Sequence, residues 1–314
     1  PSQIAATLAD AALAEAVKAG THAVVIVGAL AENGPHAAAV RKAAADFATA
    51  TGAALNRIPQ GANAVGLSDY GVLPTARDAQ SMLADARSAY ILYGIEPGMD
   101  FADTAVALKA LNAAQVVAFS TFACRSTRSV ADVILPIGLL PEIEATLTNL
   151  DGRQQQAASG GKLPGQARAG WRVLRALAGE LGTKGFDFTD LSGLRAGMQM
   201  RETQVAAGKL PMVAGEGLEV AASIAIYRSD AVVRRAPALQ AHPLNVEPKA
   251  TLHPLDAAAL GLAEGVVGKF STPAGTATLP VALSDKVARG TVWVESGHGA
   301  TAPLGAGRVQ AGRA

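Results

Sequence analysis

Residues 131–156 read ADVILPIGLLPEIEATLTNLDGRQQQ, and what this stretch can form decides how the rest of the chain is read. ADVILP is a short β-branched run closed by Pro136, which predicts a buried strand that can continue neither as sheet nor as helix. A loop follows. TLTNL and RQQQ then flank Asp151-Gly152, a dipeptide that supplies the positive φ of a tight turn, so a hairpin is expected there. Glu142, Thr146, Asn149 and Arg153 fall in this loop and hairpin. They are polar groups of the kind that line a cleft beside a strand end, although from this stretch alone an ordinary surface hairpin is the favoured reading.

Upstream, strands and helices alternate. An alanine-rich helix is expected from about Ser2 to Lys18, ending near Gly20. HAVVIVGAL, from His22 to Leu30, has the unbroken apolar character of a parallel strand covered on both faces. ENGPH reads as a turn, and Ala37 to Thr51 returns to helical spacing before Gly52. Helices are expected at Ala76 to Asp85 and Phe101 to Ala114. Further strands are expected at Ala89 to Ile95, Gln115 to Phe122 and Ala131 to Leu135. This alternation predicts an α/β region built on a doubly wound, mostly parallel sheet.

Downstream, WRVLRALAGEL (Trp171 to Leu181) reads as an amphipathic helix with Trp171, Leu174, Leu177 and Ala178 on one face. From Gly182 to about Gly217 the pattern weakens, and a domain boundary is placed at 215–216. Beyond it, VVGKFSTPAG, TATLPVAL and GTVWVESG are short runs separated by turn signals, with a short helix from Pro254 to Leu260 between the first turns. They predict a small all-β barrel over residues 216–314.

Candidate chemistry is sparse. Gly28 is followed by Ala29, Leu30 and Ala31, so the glycine spacing that admits a pyrophosphate is missing and a nucleotide-dependent dehydrogenase is disfavoured. GANAVGLSDYGVLP, from Gly61 to Pro74, reads as a glycine-rich loop carrying Asn63, Ser68 and Asp69, serving either backbone geometry or a ligand. Cys124 lies beside Arg125 and Arg128, which could activate a thiol, but no histidine is near in sequence and an ordinary small residue is expected. Arg234 and Arg235 could bind an anion and otherwise read as a solvated face. The five histidines, His242, His253 and His298 among them, show no metal-ligand spacing, and no nucleophile elbow appears. Glu142 and Glu144 could in principle do acid/base work.

Composition closes further doors. The chain has 314 residues, half of them hydrophobic and 17% charged, enough apolar material for two domains. With 27 basic and 26 acidic residues it has no electrostatic footprint for nucleic acid. Its single cysteine excludes an internal disulfide and cannot supply the roughly four ligands of an iron–sulfur cluster. No apolar run approaches the roughly 18 residues of a membrane-spanning helix, so no direct membrane insertion is expected. The chain begins at Pro1 without an initiator methionine, which is consistent with processing or with an excised fragment.

ADVILP, a following glutamate, and then T-x-x-N-x-x-G-R-x-Q at Thr146, Asn149, Gly152, Arg153 and Gln155 resemble the hallmark stretch of the molybdopterin oxidoreductase superfamily. GANAVGLSDYGVLP and the terminal barrel, preceded by PLDAAALGLAEG, resemble the same superfamily. IYRSDAVVRRAPALQ and PGQARAGWRVLRALA resemble its branch found in the bacterial proton-pumping NADH-quinone oxidoreductases, respiratory complex I. The resemblance implies an α/β region followed by a six-stranded double-psi barrel. It implies a peripheral-arm location on the cytoplasmic side, contacts with other peripheral-arm subunits, and iron–sulfur clusters on an N-terminal region not among these residues. No cofactor is expected on this chain. If a pterin bound, Asn63, Glu142, Thr146, Asn149, Gly152, Arg153 and the Gly61 to Gly71 loop would be the residues to hold it. Ala145 departs from the pattern, which has a glycine before the threonine, and its methyl would crowd a close backbone approach.

Overall fold

The computed structural model describes residues 3–33, 36–74, 76–200 and 216–314. Helices α1 (Ile4–Leu8) and α2 (Ala11–Lys18) stand where the sequence predicts a single helix. Asp10 separates them, because its carboxylate accepts the N–H groups of Ala12 and Leu13 at 2.7 and 3.2 Å and so starts a new helix. Strand β1 (Val24–Val27) is shorter than HAVVIVGAL suggests, since helix α3 (Ala29–Asn33) begins just beyond it. The expected ENGPH turn falls partly on residues 34–35, outside the described residues. Helix α4 (Ala37–Thr51) closes at Gly52, which takes the left-handed φ of 73°.

Strand β2 (Ala54–Arg57) has no counterpart in the sequence reading; its four residues are all exposed and carry no alternation to detect. Helix α5 (Ala64–Asp69) corrects the expected loop at 61–74. Helix α6 (Ala79–Ala84), strand β3 (Ala89–Tyr93), helix α7 (Thr104–Asn112) and strand β4 (Gln115–Ser120) follow at their expected places with trimmed ends. Helix α8 (Arg125–Val130) then leads to strand β5 (Val133–Pro136). Strands β6 (Ala145–Thr148) and β7 (Gln154–Ala157) form the hairpin expected around Asp151-Gly152, with Gly152 at φ 76°. Helix α9 (Gly170–Glu180) and helix α10 (Leu191–Gly197) end this half, and the boundary placed at 215–216 meets residues 201–215, outside the described residues.

The barrel strands are β8 (Leu218–Ile224), β9 (Ala250–Leu252), β10 (Val267–Thr272), β11 (Gly275–Leu283), β12 (Thr291–Ser296) and β13 (Arg308–Arg313), with helices α11 (Pro237–Gln240) and α12 (Pro254–Ala259) between. They close in the order β10-β11-β9-β12-β8-β13. The β11–β9 and β12–β8 pairs are parallel and the others antiparallel. Parallel neighbours force crossover connections, so this closure is not a simple up-and-down meander. Ala277, Leu279 and Val281 alternate inward along β11 and meet Leu252, Phe270, Val292 and Val309, all fully or almost fully buried. At about 1.5–3 kcal/mol for each large apolar side chain removed from water, this core is the barrel's principal support.

The molecule is thus α/β with parallel sheets and a closed six-stranded barrel. Its parallel strands outside the barrel form two sheets, β1-β2 and β3-β4-β5. Two compact units are distinguishable. Unit 1 takes the described residues of Pro1–Gln60, Gly98–Ala105 and Val205–Ala314, and unit 2 those of Gly61–Pro97 and Val106–Gln204. In unit 2, Val116 and Phe119 on β4 are fully buried, and Gly170 lets α9 close on Tyr93. A Cβ at Gly170 would lie 1.8 Å from the Tyr93 hydroxyl oxygen, so only glycine fits.

Candidate functional site

The hallmark residues all lie in unit 2, and the structure brings several of them together. Asn63, at a left-handed φ of 64°, precedes α5 and points its Oδ1 at the Thr148 N–H, which donates to it at 2.8 Å. Gly66 makes that approach possible, since a Cβ there would come within 2.2 Å of Asn63 Oδ1 and 2.8 Å of Thr148 Oγ1. Gln154 Nε2 donates to the Tyr70 hydroxyl at 2.9 Å, a second tie between the 61–74 stretch and the hairpin. Asn149 Oδ1 accepts the N–H groups of Asp151 and Arg153 at 3.1 and 2.9 Å, so this side chain shapes the turn itself. Glu142 Oε2 accepts the Leu139 N–H at 2.8 Å. Arg153 is exposed. Thr146 Oγ1 is buried and has no hydrogen-bond partner.

Glu142 also borders a cavity of about 340 Å³ at the carboxyl ends of β4 and β5, with Thr121, Phe122 and Ile137 in its wall. Nearby, Cys124 caps α8, its sulfur 3.1 Å from Thr127 Oγ1 and 3.3 Å from Ser126 Oγ. Burial pushes this thiol up, but the hydrogen bonds from Ser126 and Thr127 outweigh it and leave the thiol below its ordinary value. Among the described residues no histidine contact to it is seen, and a capping role accounts for its position.

Unit 1 holds two further polar arrangements. Where open α/β sheets bind dinucleotides, beyond the carboxyl ends of β1 and β2, the buried Glu32 is clamped by Arg57 at 2.7 and 2.8 Å and reached by Arg41 at 3.3 Å. Burial would raise the Glu32 pKa; the hydrogen bonds and charges of Arg57, then Arg41, overcome it and hold the carboxyl below its ordinary range. The second is a cavity of about 560 Å³ whose lining includes Leu30, Phe101, Ile224, Arg228, Arg234 and His298. Arg234, which sequence spacing makes a solvated face, is instead 7% exposed and donates to Asp100 at 2.9 Å. Sequence reasoning does not assign Arg228 and His298 together, because it has no signal for two residues so far apart in the chain. Among the described residues, no group of three histidine, cysteine, aspartate or glutamate side chains is placed to hold a metal ion.

A molybdopterin oxidoreductase family model matches residues 3–180, and a molydopterin dinucleotide binding domain model matches residues 226–312. The chain belongs to the molybdopterin oxidoreductase family. Within that family it is 28% identical over 297 residues to the G subunit of the NADH-quinone oxidoreductase of Mycobacterium tuberculosis, a match covering 80% of this chain and 36% of that protein. It is 36% identical over 66 residues to the mitochondrial NADH-ubiquinone oxidoreductase 78 kDa subunit of Neurospora crassa, covering 21% of this chain and 9% of that one. The NADH-ubiquinone oxidoreductase 75 kDa subunit of Reclinomonas americana matches at 43% over 56 residues, 18% of this chain and 8% of that one. The chain spans 36% or less of these relatives' own length. Acetylene hydratase from Pelobacter acetylenicus shares the fold with a TM-score of 0.50 at 17% identity, over 72% of this chain and 44% of that one.

Proposed function

We propose that this chain is a structural and assembly region of the G subunit of an NADH-quinone oxidoreductase, in the peripheral arm of respiratory complex I, and that it carries no redox centre itself. The tie from Asn63 to Thr148, across 85 residues of sequence, carries this reading. It turns the strongest part of the family signature inward, so that the 61–74 stretch and the hairpin hold each other. On this reading the hallmark residues do not fit a bound pterin. Asn63 Oδ1, Asn149 Oδ1 and Glu142 Oε2 each accept backbone N–H groups of this chain, which fixes these side chains to their own loop and hairpin, and Ala145 adds a methyl where close approach would be needed.

The single cysteine supports the same reading, since an iron–sulfur cluster takes about four protein ligands and usually cysteines. The clusters of the assembly are then carried outside these residues. No helix among the described residues is long and apolar enough to cross a membrane. The proposed place is cytoplasmic, held to the inner membrane through the complex, against other peripheral-arm subunits rather than nucleic acid. Deleting this region from the full-length protein and purifying the complex tests the proposal. Loss of assembled complex is expected; a complex that stays intact and active without it would sink the idea.

One observation favours a second reading, a portion of an oxidoreductase that binds molybdopterin. Thr146 Oγ1, inside the hallmark stretch, is buried without a partner, and such atoms ordinarily have one. Stoichiometric molybdenum in the purified protein, or a fluorescent pterin after acid oxidation, would establish that reading in place of the first.

A further inference from the structure

Unit 1 contains, among others, two buried side-chain nitrogens without a hydrogen-bond partner. His298 is 4% exposed, and its Nε2 has no hydrogen-bond partner. The Nε of Arg228 is likewise buried and unpartnered. Both residues line the cavity of about 560 Å³, a size suited to one small organic molecule. Buried polar atoms of this kind ordinarily find a partner in protein or solvent, and two of them on residues that line one cavity point to it as the place from which an acceptor would reach them. We propose that this cavity binds a small organic monocarboxylate, its oxygens held by Arg228 and His298 and its apolar body against Leu30, Phe101 and Ile224.

The charge count selects one negative charge. Arg234, the other arginine on the wall, is already paired with Asp100 at 2.9 Å, which leaves Arg228 as the cation whose Nε lacks a partner. A diphosphate would bring at least two charges to that one guanidinium. Burial and then the Arg228 charge keep His298 below its ordinary pKa, with Glu247 opposing them, so the imidazole is neutral near pH 7 and offers a hydrogen bond rather than a second charge. The remaining wall mixes hydroxyls such as Ser223 and Thr301 with the apolar Leu30, Phe101, Ile224 and Leu304, and the apolar part offers a surface for a hydrocarbon or aromatic body.

Titration calorimetry of the full chain at low salt with benzoate, and separately with inorganic phosphate, tests this. Benzoate is expected to bind, and Arg228→Gln to weaken it about tenfold or more, as for a lost hydrogen bond to a charged group. The ring nitrogen signals of His298, assigned through His298→Gln, should move when benzoate is added. That NMR measurement on the unsubstituted protein decides the matter if Arg228→Gln does not fold. Absence of benzoate binding, binding unchanged in folded Arg228→Gln, or an unmoved His298 ring would overturn the proposal. Phosphate binding more tightly than benzoate would overturn the monocarboxylate in favour of a more highly charged ligand.

Discussion

Glu32 holds a carboxylate nearly out of water, with its side chain 4% exposed and two arginines upon it. Neutralising such a group leaves two guanidinium ions facing a carboxamide. Breaking a buried pair costs about 3–5 kcal/mol, but Arg57 is 41% exposed and Arg41 24%, so water recovers part of that. Glu32→Gln should therefore lower unfolding stability by about 2 kcal/mol, measured by urea denaturation. A change below about 0.5 kcal/mol, the range of ordinary surface substitutions, would show that the cluster is ornamental. Nothing in the sequence announces this triad, because Glu32, Arg41 and Arg57 follow no local spacing and meet only through the pairing of β1 with β2. Asn149 and Gly152 are legible, because a turn is a local event and its chemistry lies within a few residues.

At the scale of elements, the clearest contrast lies within the family signature. The hairpin β6–β7 can be read from Asp151-Gly152, whereas α5 stands where the sequence predicts a loop, since AVGLSD is too short to display a helical period and its anchor is the distant Thr148. The same contact makes Gly66 intolerant. Alanine ordinarily improves a helix position by about 1 kcal/mol over glycine. Here its methyl would meet Asn63 Oδ1 and Thr148 Oγ1, so Gly66→Ala should instead destabilise unit 2 by about 1–3 kcal/mol through overpacking. Gly28 serves as control, since a methyl there would meet nothing within 4 Å, and Gly28→Ala should change stability by less than about 0.5 kcal/mol. Thermal melts of the two variants check the pair; equal effects would detach α5 from the hairpin. Strand β8 escapes sequence reading for a related reason, since its place in the barrel depends on parallel pairing with β12 far along the chain.

Across the whole molecule, the buried groups whose protonation is coupled to folding are unevenly shared. Glu32, Asp256 and His298 all belong to unit 1, whereas the lowered carboxyls of unit 2, Asp78, Asp85 and Asp190, are exposed and contribute less. Burial would raise the Asp256 carboxyl, but the Gly290 N–H at 2.7 Å and Arg289 at 2.6 Å more than compensate and hold it low. Both depressed carboxylates contribute stability that is complete above their unfolded values, near about 4, and is lost as pH falls through the lower folded values. The depressed histidine acts in the same direction at higher pH. Below its unfolded value of about 6.5 the unfolded chain takes up the proton first, so stability falls from there down to the folded value, by up to about 1.4 kcal/mol per pH unit. The two tryptophans divide between the units, Trp293 on β12 in unit 1 and Trp171 on α9 in unit 2. In an acid titration followed by fluorescence, Trp293 in a Trp171→Phe background should therefore change at higher pH than Trp171 in a Trp293→Phe background. Raising the pH from 5 to 7 should stabilise the first signal more than the second against urea. Coincident transitions at every pH would mean that the two units unfold as one cooperative body, and the acid sensitivity of unit 1 would then be felt by the whole chain.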